Sequence, residues 1–384
     1  MARSSHIPPP RAARRLAGCL SALAITAALS ACDSAREPTA PATAAPVSAA
    51  KAPPRLATVS VFASGLNNPR GLRWGPDNNL YVAEAGAGGT TSTVGQCEQV
   101  PSPVGPYLGG HSAQITKISD DGAKSVVASG LPSTVNAMGF VSGISSVEFV
   151  GKTLYALVDG AGCSHGHTDM PNSVIRVAAN GTWSRVADLS QYYHANPTAN
   201  MNADDFEPDG TPFSMLAVRG DLYVVEPNHG SLDRVRLDGT ISRVADISAA
   251  MGHIVPTTVS YHGNFFVGNL GTFPVVPGRE VELKINPAGK IKTWATGLTS
   301  VLGSEWDGRG RLYVLEAMTA PGNPTPLTGK IVRIDPSGSS VVIADGLFFP
   351  TAMTMGPDGN LYVSNYGFGP PPIGLGQILK IDLH

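Results

Sequence analysis

The stretch Gly75-Pro76-Asp77-Asn78-Asn79-Leu80-Tyr81-Val82-Ala83-Glu84 returns near the end of the chain as Gly356-Pro357-Asp358-Gly359-Asn360-Leu361-Tyr362-Val363-Ser364-Asn365. In both copies, a turn rich in Gly, Pro, Asp and Asn leads into an aromatic and β-branched run that is typical of a β-strand. The same strand type recurs at Leu154-Tyr155, Leu222-Tyr223, Phe265-Phe266 and Leu312-Tyr313. Six copies of one strand in a single chain indicate a repeat architecture.

Two further strand types occur six times each, in phase with the first. One covers residues 115–118, 174–177, 232–235, 282–285, 331–334 and 378–381. The other ends at Leu66, Leu131, Leu189, Ile247, Leu298 and Leu347, and a fourth strand follows each of these positions. A β-sandwich is the alternative fold, but it gives no reason for six copies in phase. The pattern therefore predicts an all-β, six-bladed β-propeller with four-stranded blades.

The two ends of the chain are predicted to complete one blade together. The segment Val61-Phe62-Ala63-Ser64-Gly65-Leu66 precedes every other repeat strand, whereas the last repeat stops at Leu383-His384 without a copy of it. If the N-terminal segment supplies the missing strand, the ring closes and leaves no exposed sheet edge.

Composition excludes some classes of function. Charged residues make up 15% of the chain, which contains 44 glycines and 32 prolines, as expected for many short strands. The net charge of −2 and the absence of a Lys/Arg-rich segment disfavour nucleic acid as a partner. There is no Gly-x-Ser-x-Gly, His-Glu-x-x-His or phosphate-binding glycine motif, so no catalytic constellation stands out.

The N-terminal segment has the features of a lipoprotein signal. Residues 1–31 combine four arginines with a short apolar run, and Leu29-Ser30-Ala31-Cys32 resembles the bacterial lipobox. We predict lipidation of Cys32, a disordered Ala/Pro-rich tether over residues 32–56 and the propeller over 57–384. The alternative is ordinary signal-peptidase cleavage, which leaves Cys32 as a free thiol. The lipid-anchored form would be a monomer in the bacterial cell envelope, periplasmic or cell-surface, which meets the membrane through its anchor only.

Only Cys97 and Cys163 remain in the propeller. Two cysteines in an oxidising compartment favour a disulfide, provided that the loops carrying them meet. Two free thiols or a metal site are the alternatives.

Loop lengths distinguish the two faces of the predicted ring. Turns after each blade's first strand are short, whereas loops after the aromatic strand include residues 85–114, 160–173 and 271–279. We call the side formed by these loops, and by the loops before each first strand, the long-loop face. Long loops on a rigid scaffold usually carry function, so we expect the ligand-binding site there.

Polar residues follow the aromatic strands at equivalent positions near the channel mouth. They are Glu84, Glu226, Asn269, Glu316 and Asn365, and the second blade has Val158 followed by Asp159 instead. Convergence of these oxygens would suit a hard cation, so Glu84, Glu226, Asn269 and Glu316 are candidate Ca²⁺ ligands. The alternative is that each side chain caps backbone N–H groups of its own blade.

Weaker candidates lie on the same face. His229 and His253 are possible bases, and Arg70 and Asn228 are assigned to the ligand-binding channel mouth with them. The run Asp205-Phe206-Glu207-Pro208-Asp209-Gly210 resembles the start of a calcium loop but has Leu216 where a bidentate Glu is expected, so we interpret it as a turn. The run Cys163-Ser164-His165-Gly166-His167-Thr168-Asp169 is a weak transition-metal candidate.

Several long strings of sequence carry a family resemblance. They are Asn68-Pro69-Arg70-Gly71-Leu72, Gly160-Ala161-Gly162-Cys163-Ser164-His165-Gly166, Glu226-Pro227-Asn228-His229-Gly230, Gly252-His253-Ile254-Val255-Pro256-Thr257, Gly268-Asn269-Leu270-Gly271-Thr272-Phe273-Pro274 and Gly367-Phe368-Gly369-Pro370-Pro371-Pro372-Ile373-Gly374. On these strings, residues 57–383 resemble the ScyD/ScyE family, exported NHL-like propellers named after genes that accompany biosynthesis of the pigment scytonemin. The resemblance implies export and a propeller fold, but no settled reaction and no catalytic residue.

A more distant likeness is to gluconolactonase and paraoxonase propellers, which hold a divalent cation on the channel axis. Their acidic and Asn ligands lie at the start of each blade's innermost strand. This chain has Arg70-Gly71, Pro256-Thr257, Leu302-Gly303 and Pro350-Thr351 at those places, which weakens an enzyme interpretation.

Three functions follow as hypotheses. The first is a binding module for an unidentified small molecule or envelope protein. The second is a divalent-cation-dependent lactonase or esterase at the channel mouth. The third, an accessory role in secondary-metabolite (scytonemin-like) biosynthesis, rests on family analogy alone.

Overall fold

The computed structural model describes residues 56–367 and 373–383. The predicted signal peptide, Cys32 and the tether up to residue 55 lie outside the described residues, as does the 368–372 part of the Gly367-to-Gly374 string. Among the described residues, five sheets have four strands and one has five, and they form the six blades of a β-propeller. The predicted fold class is confirmed.

Each blade is an antiparallel meander that starts at the central channel. Blade 1 contains β2 (Pro69–Trp74), β3 (Leu80–Glu84), β4 (Leu108–Ile118), β5 (Lys124–Val135) and the short β6 (Val141–Ser142). Blade 2 contains β7 (Ile144–Val150), β8 (Thr153–Val158), β9 (Ser173–Val177) and β10 (Trp183–Asp188). Blade 3 contains β11 (Ser214–Val218), β12 (Asp221–Glu226), β13 (Ser231–Val235) and β14 (Ile241–Asp246).

The remaining blades repeat this order. Blade 4 contains β15 (Pro256–Tyr261), β16 (Phe265–Asn269), β17 (Glu280–Ile285) and β18 (Ile291–Leu298). Blade 5 contains β19 (Val301–Trp306), β20 (Leu312–Glu316), β21 (Gly329–Ile334) and β22 (Ser340–Leu347). Blade 6 contains β23 (Ala352–Met355), β24 (Leu361–Asn365), β25 (Gly376–Asp382) and, as its outer strand, β1 (Thr58–Leu66).

The pairing of β1 with β25 closes the ring as predicted. The two strands run antiparallel, with Thr58 opposite Asp382 and Leu66 opposite Gly376. The ring of Phe62 in β1 packs edge-on against Tyr362 of β24, with centroids 5.0 Å apart. The chain therefore enters the propeller at the end of β25 that is remote from the long-loop face.

The repeated Gly-Pro-Asp turn is explained by its contacts with the aromatic strand. The Tyr81 hydroxyl donates to Asp77 Oδ2 at 3.0 Å, and the Tyr362 hydroxyl donates to Asp358 Oδ2 at 3.1 Å. A Cβ atom on Gly75 would lie 2.6 Å from the Tyr81 ring, so only glycine leaves room for this arrangement. The turn and the strand thus act as one unit.

Short helices replace two predicted strand ends. Leu189 and Ile247 were expected to end strands, but they begin α1 (Leu189–Ala195) and α2 (Ile247–Met251). The preceding aspartates cause the change, because the side chains of Asp188 and Asp246 cap the helix N-termini. Short 3₁₀ turns occur at Cys163–His165 and Ala203–Asp205. No helix in the described ranges is long and apolar enough to cross a membrane.

The core lies between neighbouring blades. One apolar cluster, for example, joins Ile115 and Leu131 of blade 1 to Val147, Ala156 and Ile175 of blade 2. Because every blade buries its faces against two neighbours, the ring holds the loops of the long-loop face on a rigid base.

Candidate functional site

The five residues predicted at the channel mouth each end the second strand of a blade, and all are buried. They are Glu84, Glu226, Asn269, Glu316 and Asn365. In three blades the side chain accepts a hydrogen bond from a backbone N–H that lies 17 residues earlier, just before the first strand of the same blade. The pairs are Asn67 N with Glu84 (2.6 Å), Thr299 N with Glu316 (2.7 Å) and Phe348 N with Asn365 (2.9 Å).

The remaining two residues of the series, Glu226 and Asn269, form variants of the same cap in blades 3 and 4. Glu226 accepts hydrogen bonds from Thr211 N at 2.8 Å, from Asn228 N at 3.0 Å and from His229 N. Asn269 accepts from Val281 N and donates to Ile254 O, both at 2.9 Å. These side chains thus connect the entry and exit loops of their own blades.

These hydrogen bonds are the contacts that the capping alternative predicts. Among the described His, Cys, Asp and Glu residues, Glu84, Glu226 and Glu316 belong to no group of three with ligand atoms close together. Glu316 is further paired with Lys330, whose Nζ lies 2.9 Å from Oε2.

Three other predicted site residues hold the segment around Glu207. His253 Nε2 pairs with Asp205 Oδ2 at 2.7 Å. Asn228 Oδ1 accepts from Glu207 N at 2.8 Å, and His229 Nε2 donates to Glu207 O at 3.2 Å. Their role in the structure is to position this loop beneath the long-loop face.

Glu207 lies in a buried polar cluster that the sequence analysis did not assemble. Its carboxylate pairs with His165 Nε2 at 2.9 Å and accepts from the Tyr107 hydroxyl at 2.9 Å. Two residues on, Asp209 accepts from the Ser164 N–H at 2.8 Å and from its hydroxyl at 2.6 Å. The two runs that were weighed separately as weak metal candidates, around His165 and around Glu207, therefore pack against each other.

Burial and neighbouring charges shift the pKa values of ionisable groups in and beside this cluster. Desolvation raises the pKa of Asp159 to about 7, although His165 and Arg70 oppose the shift. Burial lowers the pKa of Arg70 to about 10, partly offset by Asp159, and its Nη2 donates to Val141 O. Burial would also lower the pKa of His165, but Glu207, Asp209 and Asp159 together outweigh it and raise this pKa above the ordinary value. Asp159 follows the strand end of the second blade, where the capping residue is replaced by Val158.

A different charged group closes the channel near the opposite face. Arg73 donates through Nε to Glu148 Oε1 at 2.7 Å, and its Nη1 lies 3.6 Å from Glu305 Oε1. All six innermost strands line a cavity of about 60 Å³ there. A ligand pocket usually measures ~300–1,000 Å³, so this channel has room for a few waters only.

Cys97 and Cys163 form a disulfide with Sγ atoms 2.05 Å apart. It joins the long loop of blade 1 to that of blade 2. The Thr134 hydroxyl adds a hydrogen bond to His165 O at 2.8 Å across the same boundary.

Solved structures of other six-bladed propellers share this architecture. A gluconolactonase from Xanthomonas campestris has a TM-score of 0.50 at 10% identity, over 85% of this chain and 90% of its own. A glucose dehydrogenase has a TM-score of 0.51 at 14% identity, over 85% of this chain and 100% of its own. A luciferin-regenerating enzyme has a TM-score of 0.52 at 9% identity, over 85% of this chain and 95% of its own. The structural neighbours are thus gluconolactonase-like propellers.

At these identities the similarity establishes the fold alone. No family model matches the chain, and no curated protein matches it either. The resemblance to the ScyD/ScyE family therefore stays a prediction.

Proposed function

We propose that this protein is an exported, lipid-anchored binding module that holds a protein of the cell envelope on its long-loop face. The observation that carries the proposal is where exposed apolar side chains lie. Of the 15 large apolar side chains exposed in the described ranges, nine lie on loops or strand ends of that face, and three, Leu56, Trp183 and Leu237, lie on loops or strand ends of the opposite face. The nine are Val94, Leu108, Met138, Met201, Phe273, Val276, Leu327, Ile373 and Leu375.

The spread of these side chains favours a protein over a small molecule. They belong to loops of blades 1, 2, 4, 5 and 6, so they cover the rim of the face rather than line one cavity. A protein partner would bury several of these side chains at once, whereas a small molecule would reach few of them. The channel cavity, of about 60 Å³, is too small for a drug-sized ligand.

The point at which the chain enters the propeller supports the same face. Thr58 pairs with Asp382, so the chain joins the propeller on the side opposite the long loops. The N-terminal end of β1 therefore lies away from the long-loop face. The disulfide and the backbone caps hold the loops in place, which lowers the entropy lost on binding.

Site-specific photo-crosslinking in intact cells tests this proposal. A photo-reactive residue at Leu327, 62% exposed on the long-loop face, should yield a discrete cross-linked envelope protein, whereas one at Leu237, 42% exposed on the opposite face, should not. The change Phe273→Asp, at a side chain 48% exposed, should abolish the product, because it places a charge in the apolar interface.

The matched control is Leu237→Asp, which should leave the cross-link at Leu327 intact. The purified partner should then bind the wild-type protein and lose affinity for the Phe273→Asp variant. Identical products from both positions, or a product that Phe273→Asp leaves unchanged, would contradict the proposal.

A lactone or ester hydrolase is the second candidate. Asp159 favours this candidate. Burial raises the pKa of Asp159 to about 7, which is in the range suited to general acid–base catalysis, and the side chain lies near His165 and Arg70. Hydrolysis of a lactone and ester panel that Asp159→Asn abolishes, with and without chelator, would support this candidate over the binding module.

A further inference from the structure

We propose that His111, His167 and Asp169 form a binding site for a divalent transition-metal ion of the Zn²⁺ class at the boundary of blades 1 and 2. His111 lies on β4, and the other two residues lie in the loop after β8. One ligand atom from each comes within 4.8 Å of the others. This is the one such group of His, Cys, Asp and Glu side chains among the described residues.

The distances between ligand atoms fit a metal centre. His111 Nε2 lies 3.1 Å from Asp169 Oδ2, and His167 Nδ1 lies 3.5 Å from Asp169 Oδ1. Ligands held ~2.0–2.2 Å from a tetrahedral zinc ion are roughly 3.3–3.5 Å apart. The two contacts end on different oxygens of Asp169, so each imidazole ring meets its own carboxylate oxygen, and one ligand atom from each residue lies within 4.8 Å of the other two.

A backbone contact sets the tautomer of His167. Its Nε2 lies 3.2 Å from Ser133 O, and a carbonyl oxygen can only accept, so Nε2 carries the proton. In the neutral ring, Nδ1 then presents a lone pair to the Asp169 carboxylate. Two acceptors facing each other at 3.5 Å repel, and a cation between them removes the repulsion. An N–H to carbonyl contact on the far nitrogen is the usual second-shell arrangement of a metal-bound histidine.

The loop that carries two of the ligands is held firmly. The disulfide of Cys163 fixes it four residues before His167, and the Thr134 hydroxyl binds the neighbouring carbonyl of His165 at 2.8 Å. The rings of His111 and His167 meet edge to face with centroids 5.1 Å apart. Such support lowers the cost of assembling a coordination sphere.

The exposed fractions of the three side chains indicate a site that is open to solvent. The His167 side chain is 2% exposed, whereas those of His111 and Asp169 are 50% and 60% exposed. An ion held by two imidazoles and one carboxylate on this surface would keep at least one position for water or an anionic oxygen of a ligand. The two nitrogen ligands favour Zn²⁺ and similar ions over Ca²⁺, which takes oxygen ligands.

Titration of the purified, chelator-treated protein with Zn²⁺ tests the site. Calorimetry should show one equivalent bound, and Co²⁺ should give the absorption of a nitrogen- and oxygen-ligated ion. His111→Ala and Asp169→Asn should each weaken Zn²⁺ binding by more than ~100-fold, because changes in the second shell alone cost 10–100-fold. Both side chains are half or more exposed, so these variants should fold even if the buried His167→Ala does not.

The matched control is His194→Ala. His194 is 55% exposed and its Nε2 lies 3.4 Å from Asp209 Oδ1, so it forms a similar His–carboxylate pair without a third ligand. Its loss should leave Zn²⁺ affinity unchanged. The proposal is overturned if the wild-type protein binds no Zn²⁺, or if His111→Ala and Asp169→Asn bind it as tightly as His194→Ala; the cluster is then an ion pair only.

Discussion

Replacing Glu282 by glutamine should stabilise this propeller at neutral pH. Glu282 lies on β17 and is fully buried, and no hydrogen bond of good geometry reaches either carboxylate oxygen. Burial raises its pKa from 4.5 to about 8, although Ser304 opposes the shift. At pH 7 the native protein therefore holds a proton on Glu282 that the unfolded chain has released.

The stability lost by keeping this proton in the native state follows from the linkage between protonation and folding. Between pH 4.5 and about pH 8 the native state binds one more proton than the unfolded state, so stability falls as pH rises. At ~1.36 kcal/mol per pH unit, the loss reaches about 3 kcal/mol at pH 7. Glutamine is nearly isosteric and does not ionise. Glu282→Gln should thus gain about 3 kcal/mol at pH 7 and almost nothing near pH 4.

Urea unfolding of both proteins across this pH range measures the effect. Glu148→Gln is the matched control, since Glu148 is also buried but is paired with Arg73. That variant should lose stability, because Arg73 then keeps one counter-ion only. A Glu282→Gln protein that is no more stable than wild type at pH 7, or whose gain persists unchanged at pH 4, would refute the reasoning.

Three further outcomes are expected. Cys32→Ala should move the protein from membranes to the soluble exported fraction, because the acyl chains supply the membrane affinity; unchanged membrane partition in fractionated cells would contradict lipidation. Deleting residues 57–66 should remove β1, expose the edge of β25 and cause aggregation or loss of cooperative unfolding, whereas a monomer with an unchanged melting curve would argue against closure by both termini. Glu226→Ala should cost several kcal/mol, since three backbone N–H groups lose their acceptor, and chelator should leave this difference between the two proteins unchanged; denaturant unfolding of both proteins with and without chelator checks both points.

The fold was predictable because its determinants are local and repeated. The turn-strand unit around Asp77 and Tyr81 contains its own hydrogen bond, so its sequence alone indicates a strand. Six in-phase copies then define the blades, and the phase of the first segment predicts the pairing of β1 with β25. Leu189 and Ile247 were wrong as strand ends, since the preceding aspartates cap helices instead.

The channel-mouth residues show a limit of the same approach. Their positions at the ends of second strands could be predicted, but an oxygen at a strand end suits either a cation or a backbone N–H. The choice depends on whether an N–H group of the entry loop lies within reach. In blade 1, Asn67 N lies 2.6 Å from Glu84 Oε2, and the spacing of residues along the chain does not predict this distance.

What the sequence determined by itself is thus the architecture, since hydrophobic period, turn chemistry and repeat phase are properties of contiguous residues. What only the tertiary structure decided is which polar side chains meet. His165 and Glu207 are 42 residues apart, and His111 and Asp169 are 58 apart, in loops that the ring of blades brings together. Such contacts depend on loop paths, and loop paths are set by packing between blades rather than by local preference.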